Sequence, residues 1–341
     1  MSKLEDSKTE PSKVLSVVIP CFNEARNIRD CLVSLKDNEI DFDTVEFLLV
    51  DGDSTDETVA TALSVEGLSV RCVRNQERIK PVGLNIGIRE ALGEFIMRID
   101  AHCTYAPGYI DKIVAALKAE KADNVGGVQL ARAHGDEFFA EAIATTVSHP
   151  LGMGNAMHRM DLLSSPTYVD TVFCGCYRRD VFEKVGFFNE RLIRTQDREF
   201  NQRLLDGGGL ILLLPDVHAY YRPRTRLWDH TRWTYNGSFW LSYAAKFTNV
   251  KMVRLRNFIP AAFVLYLVAL VLSGIVEVSP IVRLISFLPL IVYGGLLGFF
   301  AIRQSIARRR LRLALTFPMI VIATHLSYGV GSILGWIKRH V

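Results

Sequence analysis

The chain has 341 residues, enough for one α/β domain of about 200–250 residues and an additional segment. Its net charge of +4 is mild, and its apolar residues are unevenly distributed: residues 1–257 have the composition of a soluble protein, and residues 258–341 do not. Six cysteines are scattered over Cys21–Cys176 without a second pair at metal-site spacing, which argues against a zinc site and favours reduced cysteines.

The chain begins with a polar segment, predicted as a flexible N-terminal tail over residues 1–13, in which nothing resembles a signal peptide. The apolar run Val14–Pro20 then predicts a buried parallel strand. Helices and strands alternate after it; we predict a helix over Ala25–Lys36, strands over Val45–Val50, Leu68–Val73 and Phe95–Ile99, and helices around Thr58–Leu63 and Gly83–Leu92.

Strand–helix alternation of this kind predicts a mostly parallel sheet with helices on both faces. Such sheets bind ligands at the carboxyl ends of their strands. Three polar clusters follow predicted strands, at Pro20–Glu24, Asp51–Asp56 and Asp100–His102. We therefore expect them to meet at one edge of the sheet.

Shorter elements complete the predicted α/β domain, which we assign to residues 14–226. We predict helices over Tyr109–Ala119, Asp136–Val147 and Arg198–Leu205, and strands over Val125–Leu130, Val169–Tyr177 and Leu210–Leu214. The segment His149–Tyr168, which contains Gly152 and Gly154, is predicted as an irregular, mobile loop.

Residues 227–257 interleave aromatic and basic side chains, as Trp228, Trp233 and Trp240 alternate with Arg226, Arg232 and Lys246. This pattern favours an amphipathic helix in the headgroup layer of a membrane, or an acceptor path for a lipid diphosphate. Core aromatics of the soluble domain are the plain alternative. Nucleic-acid binding also fits such a patch, but the adjoining apolar spans argue against it.

Three apolar spans, Phe258–Val276, Leu284–Ile302 and Leu313–Ile337, predict three transmembrane helices in residues 258–341. Nineteen helical residues rise about 29 Å, the thickness of the hydrocarbon core. Basic residues cluster before the first span and in Arg303–Arg312, which places the large domain in the cytoplasm and the C-terminus outside. His325, inside the third span, is a functional candidate or an interhelical hydrogen-bond partner.

Asp100-Ala101-His102 follows an apolar strand and offers a carboxylate and an imidazole two residues apart. A divalent cation held there would offset the charge that develops on a diphosphate leaving group. Mg²⁺ suits the oxygen ligand, and Mn²⁺ accepts the imidazole more readily. A turn carboxylate beside a packed histidine is the alternative.

Two further acidic sites have both a structural and a chemical interpretation. Asp51–Asp56 is either a strand-to-helix turn or a site where a carboxylate accepts a hydrogen bond from a base or a ribose hydroxyl. Asp197, which precedes a predicted helix, is either a first-turn acid that favours the helix dipole or a general base for an acceptor hydroxyl.

Four of these stretches occur in the order and spacing of family 2 glycosyltransferases with the GT-A fold, namely Val17–Glu24, Val50–Asp56, Arg98–His102 and Thr195–Asp197. Asn75–Asn85 and Tyr221–Arg224 resemble the branch that includes the succinoglycan-type exopolysaccharide glucosyltransferases. The resemblance covers about Val14–Asn257, and the apolar tail also fits that branch.

The resemblance implies a GT-A, Rossmann-like, mostly parallel sheet followed by C-terminal transmembrane helices in the inner membrane. It implies a UDP-sugar donor, Mg²⁺ or Mn²⁺, and an inverting single displacement. Asp197 is then the base, and Asp100 and His102 the metal ligands. Donor-binding residues by motif position are Pro20, Phe22, Glu24, Asp51, Asp53, Lys80, Asn85 and Asp100. Acceptor or diphosphate contacts are Gln196, Arg222, Arg224 and Trp233.

The chain departs from the family pattern in three places. The usual Asp-x-Asp is Asp-Ala-His at 100–102, and the usual Glu-Asp is Gln196-Asp197. The Gln-x-x-Arg-Trp motif of processive synthases is only echoed at 229–233, which favours a single addition. We expect transfer to a polyprenyl-diphosphate-linked saccharide. A polyprenyl-phosphate sugar synthase and a non-catalytic nucleotide-sugar-binding subunit are the alternatives.

Overall fold

The structure is a computed structural model that describes residues 13–154, 156–275 and 279–339. The predicted N-terminal tail lies outside these residues except for Lys13, which begins the first strand. The described strands are β1 (Lys13–Cys21), β2 (Val45–Asp51), β3 (Val70–Arg74), β4 (Gly93–Arg98), β5 (Cys103–Tyr105), β6 (Asn124–Ala131), β7 (Thr167–Tyr168), β8 (Phe173–Arg178) and β9 (Ile211–Tyr221).

Helices fill most of the intervals between these strands and the whole C-terminal part. They are α1 (Ile28–Ser34), α2 (Thr58–Leu63), α3 (Lys80–Glu90), α4 (Tyr109–Ala119), α5 (Ala140–Val147), α6 (Pro150–Met153), α7 (Asp180–Val185), α8 (Gln196–Asp206), α9 (Leu227–Ala244), α10 (Ile259–Leu272), α11 (Pro280–Ser286), α12 (Leu288–Ala307) and α13 (Leu313–Ile337).

The strands form one sheet in the order β3-β2-β1-β4-β8-β6-β9-β5, with β7 paired to β9. β3, β2, β1 and β4 run parallel, as the alternation predicts. β8 runs antiparallel to both β4 and β6, so the sheet is mixed. Apolar runs alone do not encode strand direction, and an antiparallel neighbour needs no helical crossover.

The core of the sheet consists of the apolar runs that predict buried strands. Leu15, Val17 and Ile19 of β1 are fully buried, and so are Phe47 and Leu49 of β2. Burial of one such side chain contributes about 1.5–3 kcal/mol. The polar loops at the strand ends are therefore attached to a rigid, well-packed sheet.

The chain divides into two compact units. The first contains the described residues up to Gln129 together with Asp161–Tyr220, and the second contains Leu130–Met160 and the residues from Tyr221 onwards. The segment predicted as an irregular loop contains α6 and a 3-10 turn, Met157–Arg159. Pro150 is the first residue of α6. Its missing N–H costs no hydrogen bond there, because the first N–H groups of a helix have no partner within the helix.

Three helical segments of the second unit are long and apolar enough to cross a membrane: Leu255–Leu272, Pro280–Ala307 and Leu313–Ile337. Within the second of these, helix α11 gives way to α12 at Phe287. The third, α13, packs along α9, where a Cβ added to Gly331 would lie 2.4 Å from the carbonyl oxygen of Tyr235. Small residues permit this close approach of two helices.

His325 of α13 is an interhelical hydrogen-bond partner, one of the two roles considered from the sequence. Its Nδ1 lies 2.8 Å from the Tyr293 hydroxyl of α12, and its Nε2 lies 2.7 Å from the Leu151 carbonyl oxygen of α6. Both ring nitrogens therefore have hydrogen-bond partners, and the His325 side chain links α6 to α12 and α13.

Candidate active site

Hydrogen bonds join the loops that follow β1 and β2 at the carboxyl edge of the parallel strands. The backbone N–H of Asn23 donates to Ser54 Oγ (2.9 Å), and that of Glu24 donates to Thr58 Oγ1 (2.7 Å). In the other direction, the Thr55 N–H donates to Asn23 Oδ1 (2.8 Å). Two polar clusters that the sequence predicts at this edge thus meet there.

The Asp51 carboxylate is buried beneath these loops. Ser54 donates to it from its backbone N–H (3.0 Å) and from its hydroxyl (2.5 Å). The Cys21 thiol lies 3.7 Å from Asp51 Oδ1. Burial and the Asp51 charge raise the pKa of Cys21, so the thiol stays protonated and can donate. Asp51 is thereby fixed as an acceptor of hydrogen bonds.

Asp53 forms ion pairs with Arg74 (2.5 Å) and Arg78 (3.7 Å). The hydrogen bond from Arg74 is the main cause of a lowered pKa for Asp53. The Arg78 guanidinium also lies 5.6 Å from the centre of the Phe22 ring, which is 46% exposed. An exposed ring beside fixed polar groups suits a stacked planar base.

Helix α3 approaches the ends of β1 and β2 closely. A Cβ added to Gly83 would lie 3.5 Å from Val50 Cγ1 and 3.6 Å from Pro20 Cβ, and one added to Gly87 would lie 2.4 Å from Val18 Cγ1. Glycine at these positions lets the helix lie against the strands. Lys80, the first residue of α3, is thereby held at the strand ends.

Asp100 is buried between two cations. Lys80 Nζ lies 2.6 Å from Asp100 Oδ1, and Arg98 Nη2 lies 3.1 Å from Oδ1 and 3.3 Å from Oδ2. Burial by itself raises the pKa of Asp100, but the Arg98 and Lys80 charges outweigh it and hold the pKa well below its usual range. Asp100 is therefore a carboxylate at neutral pH.

Asp197 is connected to Asp100 through the same arginine, since Arg98 Nη1 lies 3.4 Å from Asp197 Oδ2. Burial again raises the pKa of Asp197, and the Arg98 and Lys80 charges reverse this, so the pKa is lowered. The Asp197 side chain is 42% exposed, whereas that of Arg98 is 9% exposed. An ionised carboxylate thus faces solvent at the edge of a buried charge network.

Glu24 and His102 meet across the loops, with His102 Nδ1 3.5 Å from Glu24 Oε1. Burial raises the pKa of Glu24, and its hydrogen bonds with His102 and Asn27 lower it further than burial raises it. No group of three or more His, Cys, Asp or Glu side chains in the described part of the chain is arranged to hold a metal ion. Asp100 is paired with Lys80 and Arg98, and His102 with Glu24, so the role of Asp100 and His102 as ligands of Mg²⁺ or Mn²⁺ stays a prediction.

Asn85 and Gln196 are both buried. The Asn85 amide accepts from the Phe188 N–H (3.0 Å) and donates to the Phe188 carbonyl oxygen (2.9 Å) and Glu190 Oε1 (2.8 Å). It therefore anchors a loop of the first unit, and its role near the donor stays a prediction. Gln196 is the first residue of α8, directly before Asp197.

The remaining predicted acceptor residues belong to the second unit. Arg222 and Arg224 are exposed and follow β9, and Trp233 is half-buried on α9. The Arg224 guanidinium lies 5.3 Å from the centre of the Trp233 ring. Arg224 and Trp233 are therefore in contact, as arginine and indole commonly are.

Several residues in these loops have backbone conformations that L-amino acids rarely adopt. Positive φ angles occur at Asn23 (53°), Asp53 (58°), Arg78 (57°) and Thr195 (66°). Thr195 directly precedes α8, which begins at Gln196, so Asp197 lies in the first turn of this helix. Strained residues concentrate at functional sites, which supports the location of the site at this edge.

Arg98 is a side chain of the candidate site that sequence reasoning missed. It lies on the motif Arg98–His102, but no role follows from that motif for the arginine. Residues i and i+2 of an extended chain point to the same side, which places Arg98 beside Asp100. This alternation of side chains could have indicated the contact between Arg98 and Asp100. The contact between Arg98 and Asp197, 99 positions apart, has no corresponding signal in the local sequence.

Residues 16–186, half of the chain, match the sequence profile of Glycosyl transferase family 2. The chain belongs to glycosyltransferase family 2. It is thus a glycosyltransferase, and its mixed α/β sheet with polar strand ends is the GT-A fold predicted from the motifs.

Two relatives and one solved structure are similar to this chain. Succinoglycan biosynthesis protein ExoA of Rhizobium meliloti is 29% identical over 215 residues, 62% of this chain and 64% of that protein's length. A Methanococcus voltae protein named dolichyl N-acetyl-alpha-D-glucosaminyl phosphate 3-beta-D-2,3-diacetamido-2,3-dideoxy-beta-D-glucuronosyltransferase is 23% identical over 274 residues, 76% and 82% of the two chains.

The solved structure is the mannosyltransferase PcManGT from Pyrobaculum calidifontis, in complex with GDP-Man and Mn²⁺. It superposes with a TM-score of 0.63 at 18% identity, over 97% of this chain and 90% of that one. At this identity the likeness shows the fold alone.

Proposed function

We propose that this glycosyltransferase moves a sugar, with inversion, from a UDP-sugar to a polyprenyl-diphosphate-linked saccharide, one addition at a time, in surface or exopolysaccharide synthesis. The Methanococcus relative, whose name gives a dolichyl-linked sugar as acceptor, supports a lipid-linked acceptor. The departure at 229–233 from the processive motif supports single addition.

One observation carries the proposal: Arg98 bridges the buried carboxylate of Asp100 and the exposed carboxylate of Asp197. The two acids thereby have different environments within one network. Asp100 faces cations and suits the donor's diphosphate side, while Asp197 is open to an incoming hydroxyl. Active sites often contain acids that have different environments and therefore different roles.

In the proposed reaction the acceptor hydroxyl oxygen attacks C1 of the sugar from the face opposite the diphosphate. The new C1–O bond forms as the bond from C1 to the diphosphate oxygen breaks, and the hydroxyl proton passes to Asp197. A lowered pKa keeps Asp197 ionised and able to accept it. Lys80, 2.6 Å from Asp100, adds positive charge near the departing diphosphate.

Donor binding is proposed for the loops that follow β1 and β2. Asp51 would accept hydrogen bonds from the uracil or ribose, beside Pro20 and Glu24, and Phe22 offers an exposed ring. Asp53, already paired with two arginines, is the weaker candidate. Asp100, with His102, would hold a Mg²⁺ or Mn²⁺ ion, which supplies charge to stabilise the diphosphate leaving group.

The acceptor contacts that we propose from the motifs are Gln196, Arg222, Arg224 and Trp233. The apolar helices of the second unit suit a multi-pass protein of the inner membrane, with the catalytic unit in the cytoplasm where nucleotide sugars are made. The basic segments before α10 and after α12 support this orientation.

The test uses Asp197→Asn in the full chain, with a screen of UDP-sugars, membrane-extracted lipid acceptors and Mg²⁺ or Mn²⁺. We expect transfer to fall about 100- to 10,000-fold, the range that general-base catalysis contributes. UDP affinity should stay within about twofold. Mass spectrometry of the lipid product identifies the sugar and the acceptor; unchanged turnover would remove Asp197 from its role.

A polyprenyl-phosphate sugar synthase is the second candidate, and the pairing of Asp197 with Arg98 favours it. A carboxylate with a lowered pKa is a weaker base, and a phosphate acceptor is already ionised and needs none. Under this alternative, Asp197→Asn retains activity and the product is a sugar on lipid monophosphate.

A further inference from the structure

A short segment of chain, residues 185–190, lies between the two helices that carry Lys80 and the proposed base. Lys80 is the first residue of α3, and Asp197 is the second residue of α8. The segment begins where α7 ends and precedes α8 in the chain. It makes hydrogen bonds to side chains of both α3 and α8, so it connects the two helices.

On the α3 side, the Asn85 amide binds this segment through three hydrogen bonds. It accepts from the Phe188 N–H (3.0 Å) and donates to the Phe188 carbonyl oxygen (2.9 Å) and to Glu190 Oε1 (2.8 Å). Asn85 is 1% exposed. Because a buried polar group without a partner costs stability, these bonds specify one position of Phe188 relative to α3.

On the α8 side, the same segment is held by packing and by an arginine. The Phe188 ring centre lies 4.5 Å from that of Phe200, a fully buried residue of α8. Arg203 of α8 donates from Nη1 to the Val185 carbonyl oxygen (2.5 Å) and from Nη2 to the Phe187 carbonyl oxygen (2.7 Å). The position of α8 therefore depends on the position of residues 185–190.

The first turns of the two helices also meet in the charge network. Lys80 Nζ lies 2.6 Å from Asp100 Oδ1, and Arg98 contacts both Asp100 (3.1 Å) and Asp197 (3.4 Å). Ion pairs fix these charges but not the helices, since a long side chain such as that of Lys80 can follow a partner that moves. The 185–190 segment fixes the helices themselves.

We propose that Asn85 is a positioning residue, which sets the separation between Lys80 and the base Asp197 by holding residues 185–190 between α3 and α8. The inference rests on the proposed function, in which Asp197 accepts the proton. Both N–H groups of the Asn85 amide already donate to protein oxygens. Asn85 thus acts through the helices, a different role from the donor contact predicted from the sequence, and the experiment distinguishes the two.

The test is Asn85→Ala in the full chain in detergent. Its kcat is measured with the UDP-sugar and lipid extract that the donor screen selects, and its affinity for UDP by calorimetry. We expect kcat to fall about 100-fold, the loss that a misplacement of about 1 Å can cause, and the Kd for UDP to stay within about twofold. A rise of about tenfold in this Kd with wild-type kcat would assign Asn85 to the donor site and overturn the inference.

Asn38→Ala is the matched control, because the Asn38 amide also makes three hydrogen bonds to the backbone. It donates to the Leu35 carbonyl oxygen (2.9 Å) and accepts from the N–H groups of Ile110 (2.7 Å) and Asp111 (3.3 Å). This control should lower Tm, as Asn85→Ala does, and leave kcat at the wild-type value. An equal loss of kcat in both variants would show general destabilisation and overturn the inference.

Phe188→Leu is a milder variant that provides the same test if Asn85→Ala does not fold. It keeps the backbone groups that Asn85 binds and reduces the contact with Phe200. We expect kcat to fall by a smaller factor than in Asn85→Ala, again without a change in the Kd for UDP. Wild-type kcat in this variant contradicts the inference.

Asp197→Asn separates this inference from the proposed function. If Asn85 acts through Asp197, adding Asn85→Ala to Asp197→Asn should cause no further loss of kcat, since residues that act as a unit are not additive. Losses that multiply would overturn the inference and leave Asp197 as the base. Wild-type turnover in Asp197→Asn alone would instead remove the base from the proposed function, whatever the effect of Asn85→Ala.

Discussion

At the residue scale, Arg98 decides the ionisation of the proposed base. Burial raises the pKa of Asp197, and the Arg98 charge more than reverses this. In Arg98→Gln the pKa of Asp197 should therefore rise, so the base becomes protonated at a higher pH. We expect the acid limb of the kcat/KM profile to move to higher pH, measured with a saturating metal ion and a fixed acceptor.

The same change should destabilise the protein by about 3 kcal/mol, because it leaves Asp100 with only Lys80 as a cation. Stability gained from a carboxylate with a lowered pKa is present above its unfolded-state pKa and is lost as pH falls through the folded-state pKa. Arg98→Lys should keep much of both effects, and Lys184→Gln, at the exposed pair with Asp180, should change neither. An unmoved acid limb in Arg98→Gln would show that another group sets the profile.

At the element scale, the position of Lys80 depends on how closely α3 approaches the sheet. A Cβ added to Gly87 would lie 2.4 Å from Val18 Cγ1 and 3.1 Å from Val50 Cγ2. Gly87→Ala should push α3 away from the strands, lowering the free energy of unfolding by about 1–3 kcal/mol and raising the donor KM. Gly237→Ala on α9, with nothing within 4 Å, is the control and should be neutral or stabilising. Equal losses in both variants would contradict this account.

Whether the sequence predicts a helix or strand depends on whether neighbouring residues in the chain determine it. Long apolar runs predict β1 and β2, and helical spacing predicts Tyr109–Ala119 with the bounds observed for α4. β5 has only three residues, too few for a period to appear, so the sequence does not predict it. β9 extends to Tyr221 instead of ending at Leu214, because polar residues such as Asp216 alternate with buried ones.

The residues of the candidate site are likewise predictable only where neighbouring residues in the chain determine their position. Its acids stand next to strand ends and are predictable, since parallel strands bring their ends to one edge. The partners of those acids come from distant positions. Asn85 hydrogen-bonds Phe188, 103 residues away, and Arg98 contacts Asp197. Such pairs depend on tertiary packing, so a single sequence predicts the acids of the network but not its connections.

At the scale of the whole molecule, the packing of α13 bears on how often the chain crosses the membrane. α9 runs parallel to the second half of α13, as His230 contacts Thr324 and Ser242 contacts Ser332. Thr324 is near the middle of α13. If α13 crossed the bilayer, Asp229 and Arg232, which flank His230, would lie at its centre.

A charged side chain at that depth costs about 2.5–3.5 kcal/mol on insertion scales. We therefore expect α13 to lie along the membrane surface with α9, although its length allows a crossing. α10 and the α11–α12 segment then form a hairpin, joined by Tyr266 Oη to the Ser286 carbonyl oxygen (2.7 Å). This gives two crossings where the sequence predicts three; Val276, the last residue of the first predicted span, lies outside the described residues.

Thiol labelling distinguishes the two topologies. Cys72 is the exposed cysteine of the wild-type chain, so a membrane-impermeant maleimide should label it only after cells are permeabilised. In a Cys72→Ser background, Arg339→Cys should behave in the same way, because two crossings leave the C-terminal end on the cytoplasmic side. Ser279→Cys, directly before α11, should be labelled in intact cells. Labelling of the Arg339→Cys thiol in intact cells would instead establish α13 as a third crossing, with the basic residues Lys338 and Arg339 outside against the usual charge bias.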